Sequence, residues 1–444
     1  MNKPLVEFNP RISGLTENQK KVLKLLIEAA KLIIPVYEQQ ENQKYPGANF
    51  YPHGITKQEI ENAAREDTKI FSPYTIVEKK NGKLLTIPYH EKYARLLEPI
   101  AEKLRQAANI TENKEFAKRL ELQADALTDG NYDESSIYWM SMKPYVLNIN
   151  IGPVERYDDK LFFIKTSYQA WVGVMDKKET ERVFKYKDVI LSARRKVIMP
   201  SEKIDYYDKV QVRVDDSLIF TGLMSRTKFV GVNLPNDPEL MEKYGSEITI
   251  SKQANEARFD EEVLPAFNKL FSHEFSGQFS EDDLKSGSLY LVVLHELTHT
   301  YLRYRSSERN LQDLFPVIDE LAAYVMGIKV CGSLLLKDIM SQKQLESIII
   351  AYLGRSFSLI QKGNDNDKSR MHYAIGGTIF INYLLESGAL KEAGGIHWPN
   401  FAKIYYSLDE LATILERMLY QGTRADAEAL IKRFGDTKKI QNTH

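Results

Sequence analysis

Residues Leu289–Tyr304 read LYLVVLHELTHTYLRY. Leu289, Val292, Val293 and Leu297 recur at helical spacing, and Ser286 and Ser288 offer caps just upstream. Within this helix His295, Glu296 and His299 form an HExxH motif. Residues four apart share a helical face, so both imidazoles can hold one zinc ion at ~2.0–2.1 Å. Glu296, beside them, can take a proton from a zinc-activated water. With eight histidines in the chain, simple frequencies give HExxH by chance on the order of once in a hundred such chains. A structural histidine pair on an amphipathic helix is the alternative. Catalytic zinc needs a third protein ligand and one open position. A third histidine six residues after the second is ruled out, because that position is Arg305. FPVIDELAAYVMG supplies a glutamate instead: Pro316 opens a helix, and Glu320 follows His299 by 21 positions, enough for a turn and a returning helix. Asp319 precedes it, and Tyr324 lies one turn on. Glu308, in the polar RSSERN turn, is the competing ligand.

Outward from this motif, the chain has the profile of a folded soluble protein. Apolar residues make up 43% and charged residues 27%, and at about 150 residues per domain 444 residues suggest two or three domains. Sixty basic against sixty-one acidic residues argue against a nucleic-acid or anionic-membrane partner held by bulk charge. The single cysteine, Cys331, excludes a disulfide framework and a multi-thiolate metal site, and reads as a buried inert thiol. No run is long enough for a membrane helix, and MNKPLVEFNP lacks the apolar core of a signal peptide. A cytoplasmic protein is expected. Thr16 to about Gln39 and about Tyr89 to Thr128 read as helical. From about Tyr145 to Asn233 come the β-type runs YVLNINI, KLFFIKTSY, WVGVM, KVQVRV, SLIFTGLM and KFVGVNL, divided by Gly, Pro and the Asp215-Asp216 pair, and helical signals return after Pro238. Helical, then β, then helical without alternation favours a two-lobed α+β fold. The expected division is 1–237, helical segments plus a β core, and 238–444, a mainly helical zinc-binding lobe. Trp139, Trp171 and Trp398 read as core residues.

HELTH followed by DELAAY resembles the glutamate-ligated zincins. Two further segments point to the dipeptidyl peptidase III family. IGPVERYDD resembles that family's Gly-x-x-Glu-x-Tyr segment through Gly152, Glu155 and Tyr157. GVNLPND resembles its Gly-x-Asn-x-Pro-Asn segment through Gly231, Asn233, Pro235 and Asn236. Weaker likenesses are NFYP from Asn49, SPYT from Ser72, and MHYAIGGTIFINYLLESGAL around His372, so the islands span roughly residues 30 to 390.

The resemblance implies a zincin-type peptidase in which a mainly helical zinc lobe faces a lobe with a β core across a cleft. It implies one zinc per chain, short peptides as substrates, and release of dipeptides from free N-termini. Glu155, Asn233 and Asn236 resemble residues that hold the substrate ammonium. Tyr157 resembles a tyrosine that reaches the substrate backbone, and His372 a histidine that stabilises the developing oxyanion, with Tyr373 competing for that place. The family's usual motif is HExxGH, one residue longer than HELTH. A similar abbreviated module resembles the region appended to some plant Nudix hydrolases, but this chain carries no Nudix signature. The expected activity is a zinc exopeptidase, as monomer or homodimer. A zinc hydrolase of the same fold on a non-peptide substrate and a silent peptide-binding protein are the alternatives; an intact Glu296 counts against the latter.

Overall fold

The computed structural model describes residues 3–194, 203–235, 237–362 and 368–437. It is a mixed α+β chain that forms two compact units: residues 1–177, 213–229 and 234–247 make the first, and 178–212, 230–233 and 248–444 the second. The expected boundary at 237/238 falls within the 234–247 stretch of the first unit.

In the first unit, strand β1 (Leu5–Glu7) is followed by helices α1 (Glu17–Leu32), α2 (Ala94–Ile110) and α3 (Lys114–Asp129). Thr16 caps α1 reciprocally: its hydroxyl accepts the Gln19 N–H at 3.1 Å while Gln19 Oε1 accepts the Thr16 N–H at 3.0 Å. The helical stretch read from Thr16 to Gln39 is divided, with a second short helix at Ile34–Gln40. Pro35 lies in its first turn, where its missing N–H costs nothing, and it cannot continue α1. Val22, Leu26 and Ala29 of α1 are fully buried, and α1 packs on α2, which packs in turn on α3.

Strands β2 (Leu147–Glu155), β3 (Ser167–Met175) and β4 (Gln211–Gly222) lie side by side and antiparallel, and β1 adds to β4. Trp171 stands opposite Asn150 on one side and Phe220 on the other, its ring 5.0 Å from that of Phe220. KVQVRV and SLIFTG form one continuous strand. Asp215 does not break it, because its carboxylate is buried against Arg213 at 2.7 Å and accepts from Asn148 at 3.0 Å. KLFFIKTSY differs from its expected strand: only Ser167 onward is extended. The Asp159 carboxylate accepts the backbone N–H groups of Leu161, Phe162, Ile164 and Lys165 at 2.9–3.2 Å, which winds that segment into a loop. Lys165 is itself fully buried. Its ammonium donates to Ile70 O, Ser72 O and Thr75 Oγ1 at 2.6–2.8 Å.

The second unit contains all but the last residue of strand β5 (Gly231–Leu234) and all but the first of its neighbour β6 (Glu247–Ser251), followed by helices α4 (Glu281–His299), α5 (Phe315–Lys329), α6 (Gln342–Lys362), α7 (Lys368–Glu386) and α8 (Phe401–Gln421). Helix α4 packs on α5 and α6, α6 on α7, and α5 on α8. The α4–α6 approach is close because Gly287 faces it: a Cβ there would lie 2.5 Å from the Ser347 carbonyl. Cys331 is fully buried, and burial pushes its thiol up and keeps it protonated. Trp139 and Trp171 are buried as expected, but Trp398 is 44% exposed. It sits on a two-stranded hairpin, Leu390–Ala393 with Ile396–Pro399, where alternation turns His397 inward and Trp398 outward. Among the described residues no helix is long and apolar enough to cross a membrane.

Candidate functional site

Helix α4 begins at a capping box, in which the Ser280 hydroxyl accepts the Asp283 N–H at 3.1 Å and Asp283 accepts the Ser280 N–H at 3.0 Å. From Leu289 to Leu294 every side chain is buried, which fixes the roll of the helix and directs its last turn. His295 and His299 therefore lie one above the other, 5% and 9% exposed. Helix α5 brings Glu320 to them. Pro316 occupies the first turn of α5, and Ala322 and Ala323 are buried without bulk beside the ligand.

The three ligand atoms converge. His295 Nε2 lies 3.1 Å from His299 Nε2 and 3.1 Å from Glu320 Oε2, and His299 Nε2 lies 3.6 Å from Glu320 Oε2. A tetrahedral zinc with ligands at ~2.0–2.1 Å has edges of ~3.3–3.4 Å. The triangle fits that ion. Glu320 Oε2 is buried and receives no hydrogen bond among the described residues, whereas Oε1 accepts one from the Tyr373 hydroxyl at 3.1 Å. One carboxylate oxygen is thus engaged by protein and the other is left to a cation. The electrostatics agree. Burial lowers the His295 pKa and the charge on His299 lowers it further. Burial also opposes charge on His299, but Asp319 and Glu320 outweigh it and raise the group to about 10. Burial likewise opposes ionisation of Glu320, yet the two imidazoles hold its carboxyl well below the usual range. The centre demands positive charge between these groups, which a proton meets in part and a divalent ion meets fully.

Around the triangle, Asp319 Oδ2 lies 3.4 Å from His299 Nδ1, the outer carboxylate that metal-bound histidines commonly face. The ring of Tyr324 stacks on His295 with centroids 4.0 Å apart. Glu296 is half-buried and faces β5, where a Cβ on Gly231 would come within 3.0 Å of its Oε1. Strand alternation puts Asn233 on the same face as Gly231. Its Oδ1 is buried and without a hydrogen-bond partner among the described residues.

The second unit thus holds His295, Glu296, His299, Glu320 and Asn233. His372 is half-buried there, its ring 4.3 Å from that of Tyr373, and Tyr373 is the one that reaches Glu320. Glu155 and Tyr157 belong to the first unit. Glu155 is buried at the end of β2, where a bulge after Pro153 shifts the register and sets it opposite Ser167. Tyr157 is 45% exposed, its ring against Phe229 at 5.4 Å. Asn236 lies outside the described residues. Arg355 of α6 escaped the sequence reading altogether, although a lone charge inside IIIAYLGRSFSLI marks it.

An HExxH helix and a glutamate from the next long helix, set in a mixed α+β fold, define a metallopeptidase architecture. The model of peptidase family M49 matches residues 38–298, more than half of the chain, and the chain belongs to that family, as its resemblance to dipeptidyl peptidase III predicts. The match ends one residue short of His299. Dipeptidyl peptidase III of Caldithrix abyssi superposes with a TM-score of 0.85 over 95% of this chain and 91% of that one, at 23% identity. The enzyme of Corallococcus sp. strain EGB gives 0.80 over 98% and 92%, also at 23% identity. Both show the fold. Nudix hydrolase 3 of Arabidopsis thaliana is 24% identical over 424 residues, which is 88% of this chain and 54% of that protein. The chain therefore spans about half the length of the curated relative it matches.

Proposed function

We propose that this chain is a zinc-dependent exopeptidase that releases dipeptides from the free N-terminus of short peptides. The observation that carries the reading is the convergence of His295 Nε2, His299 Nε2 and Glu320 Oε2 at tetrahedral edge distances beside an intact Glu296. Zinc held by these three residues would polarise both a water and the scissile carbonyl. Glu296 takes the proton from the attacking water and then delivers it to the departing amine nitrogen. Glu155, Asn233 and Asn236 hold the substrate ammonium; Asn233 Oδ1, without a hydrogen-bond partner among the described residues, is an acceptor of the right type. Tyr157 steadies the peptide backbone, and His372, with Tyr373 competing for the role, donates to the oxygen that gains charge.

The test compares wild type and Glu155→Ala, each on one peptide with a free and an acetylated N-terminus. Acetylation removes a charge-assisted hydrogen bond worth ~1.5–3 kcal/mol, so kcat/KM should fall at least ~10-fold for the wild type. Glu155→Ala should show a similar low rate on both peptides, because the two changes remove one shared interaction. Equal cleavage of both forms by the wild type, or cuts at scattered internal positions, would exclude N-terminal anchoring while leaving the metal centre intact.

A further inference from the structure

A histidine that ligates a metal is usually oriented through its second ring nitrogen, which donates to a carboxylate or carbonyl. Among the described residues neither Nδ1 makes a hydrogen bond, but His299 Nδ1 has a carboxylate facing it, Asp319 Oδ2 at 3.4 Å, whereas His295 Nδ1 has no such outer carboxylate. The His295 ring is fixed instead by the face of Tyr324, 4.0 Å away and 29° from parallel. A stack resists tilting but leaves the ring free to slide and turn in its own plane, so it orients a ligand only if the stacking ring is itself immobile. Tyr324 is backed by Tyr352, with centroids 4.4 Å apart, and its hydroxyl accepts a hydrogen bond from Arg355 Nη1.

Glu320 is held from the other side. The Tyr373 hydroxyl donates to Oε1, which turns Oε2 toward the histidines. The guanidinium of Arg355 lies 5.4 Å from the centre of the Tyr373 ring and 5.2 Å from that of Tyr324. One side chain from α6, a helix with no metal ligand, therefore touches the outer partner of two of the three ligands. It also lines, with Tyr324 and Tyr373, the small recess beside Glu320. Among the described residues Arg355 forms no ion pair within 4 Å; the groups that favour its charge against burial are Tyr324 and Tyr373 first, then Glu262 and Glu320.

We propose that Arg355 is a positioning residue of the metal centre: by clamping Tyr324 against His295 and Tyr373 beneath Glu320, it pre-forms the ligand triangle and sets its affinity for zinc. The inference rests on the metal-site reading and not on the identity of the substrate.

The test measures zinc dissociation constants by chelator competition on the full chain, for wild type, Arg355→Met, Arg355→Lys, Tyr373→Phe and the double variant Arg355→Met/Tyr373→Phe. Loss of an outer-shell partner typically weakens metal binding ~10–100-fold. Arg355→Met and Tyr373→Phe should each fall in that range, and the double variant should lose less than the product of the two factors, because both act on Glu320. Arg355→Lys, which keeps the charge but not the planar fork, should recover part of the loss. Cobalt in place of zinc should show a shifted visible spectrum in Arg355→Met, a change that a merely destabilised fold would not give. Arg355→Met with wild-type helicity and wild-type zinc affinity overturns the proposal. If Arg355→Met does not fold, unchanged affinity in both Arg355→Lys and Tyr373→Phe overturns it instead. A wild type that binds no zinc sinks the metal reading itself, a failure separate from this one.

Discussion

Gly231 and Glu296 are in contact across the site: a methyl group on Gly231 would sit 3.0 Å from the Glu296 carboxylate oxygen and 3.0 Å from Ile250 Cδ1. The end of the isoleucine can yield by a few tenths of an ångström. The carboxylate must then move as well, and the proposed role of Glu296 as base depends on its direction toward an attacking water. Gly231→Ala should therefore keep its zinc and lose about 10-fold in kcat, since misplacement by 1 Å can cost ~10²-fold. Zinc content and turnover measured on one preparation decide this. Loss of metal in step with activity would show that the wall supports the ligands and not the base.

Glu296→Gln tests the base directly. The amide keeps the size of the side chain and cannot accept the proton, so turnover should fall by ~10²–10⁴-fold or more with zinc occupancy unchanged. A variant that turns over peptide at the wild-type rate would require another group to activate the water. His299→Ala, in contrast, should lose most of its metal.

The buried Lys165 gives a pH dependence that is independent of the metal. Burial pushes its ammonium down from the usual range to about 7, with Asp159 opposing the shift. Between pH 7 and the ordinary lysine range the unfolded chain then binds more protons than the folded one, so stability rises with pH through that window. Below pH 7 both forms are charged and the whole cost of burying the charge remains. Denaturant midpoints at pH 7 and pH 9 should move upward for the wild type relative to Lys165→Met, which has no titrating group there. Parallel shifts in the two proteins would show that Lys165 stays charged in its cage of three acceptors.

What could be read from the sequence was local. His295 and His299 are one helical turn apart, and Glu320 sits in a helix that Pro316 visibly opens, so their meeting needed only short-range rules. The strands at Leu147–Glu155 and Ser167–Met175 announced themselves by β-branched runs. The loop before Ser167 did not, because apolar composition cannot reveal that one carboxylate, Asp159, collects four backbone N–H groups. Pro35 was in plain view, but the apolar stripe runs on past it. The roles of Tyr373, Tyr324 and Arg355 depend on which helices pack together, and residue spacing carries little of that. Asp215 misleads for a related reason: it reads as a break in the strand until its buried partner Arg213 is known.

The way the chain is shared between the two units also sets the order in which its parts can appear during synthesis. Every stretch of the first unit has left the ribosome by residue 247. The candidate metal ligands follow only at 295, 299 and 320, and Arg355 and Tyr373, which hydrogen-bond to Tyr324 and Glu320, later still. A nascent chain therefore carries a complete set of first-unit segments while it has nothing with which to capture zinc. When the two histidines first emerge they lack both their carboxylate and its supports. On the proposed zinc reading, metal capture would come late in the birth of this protein, together with the packing of helices α5 to α7.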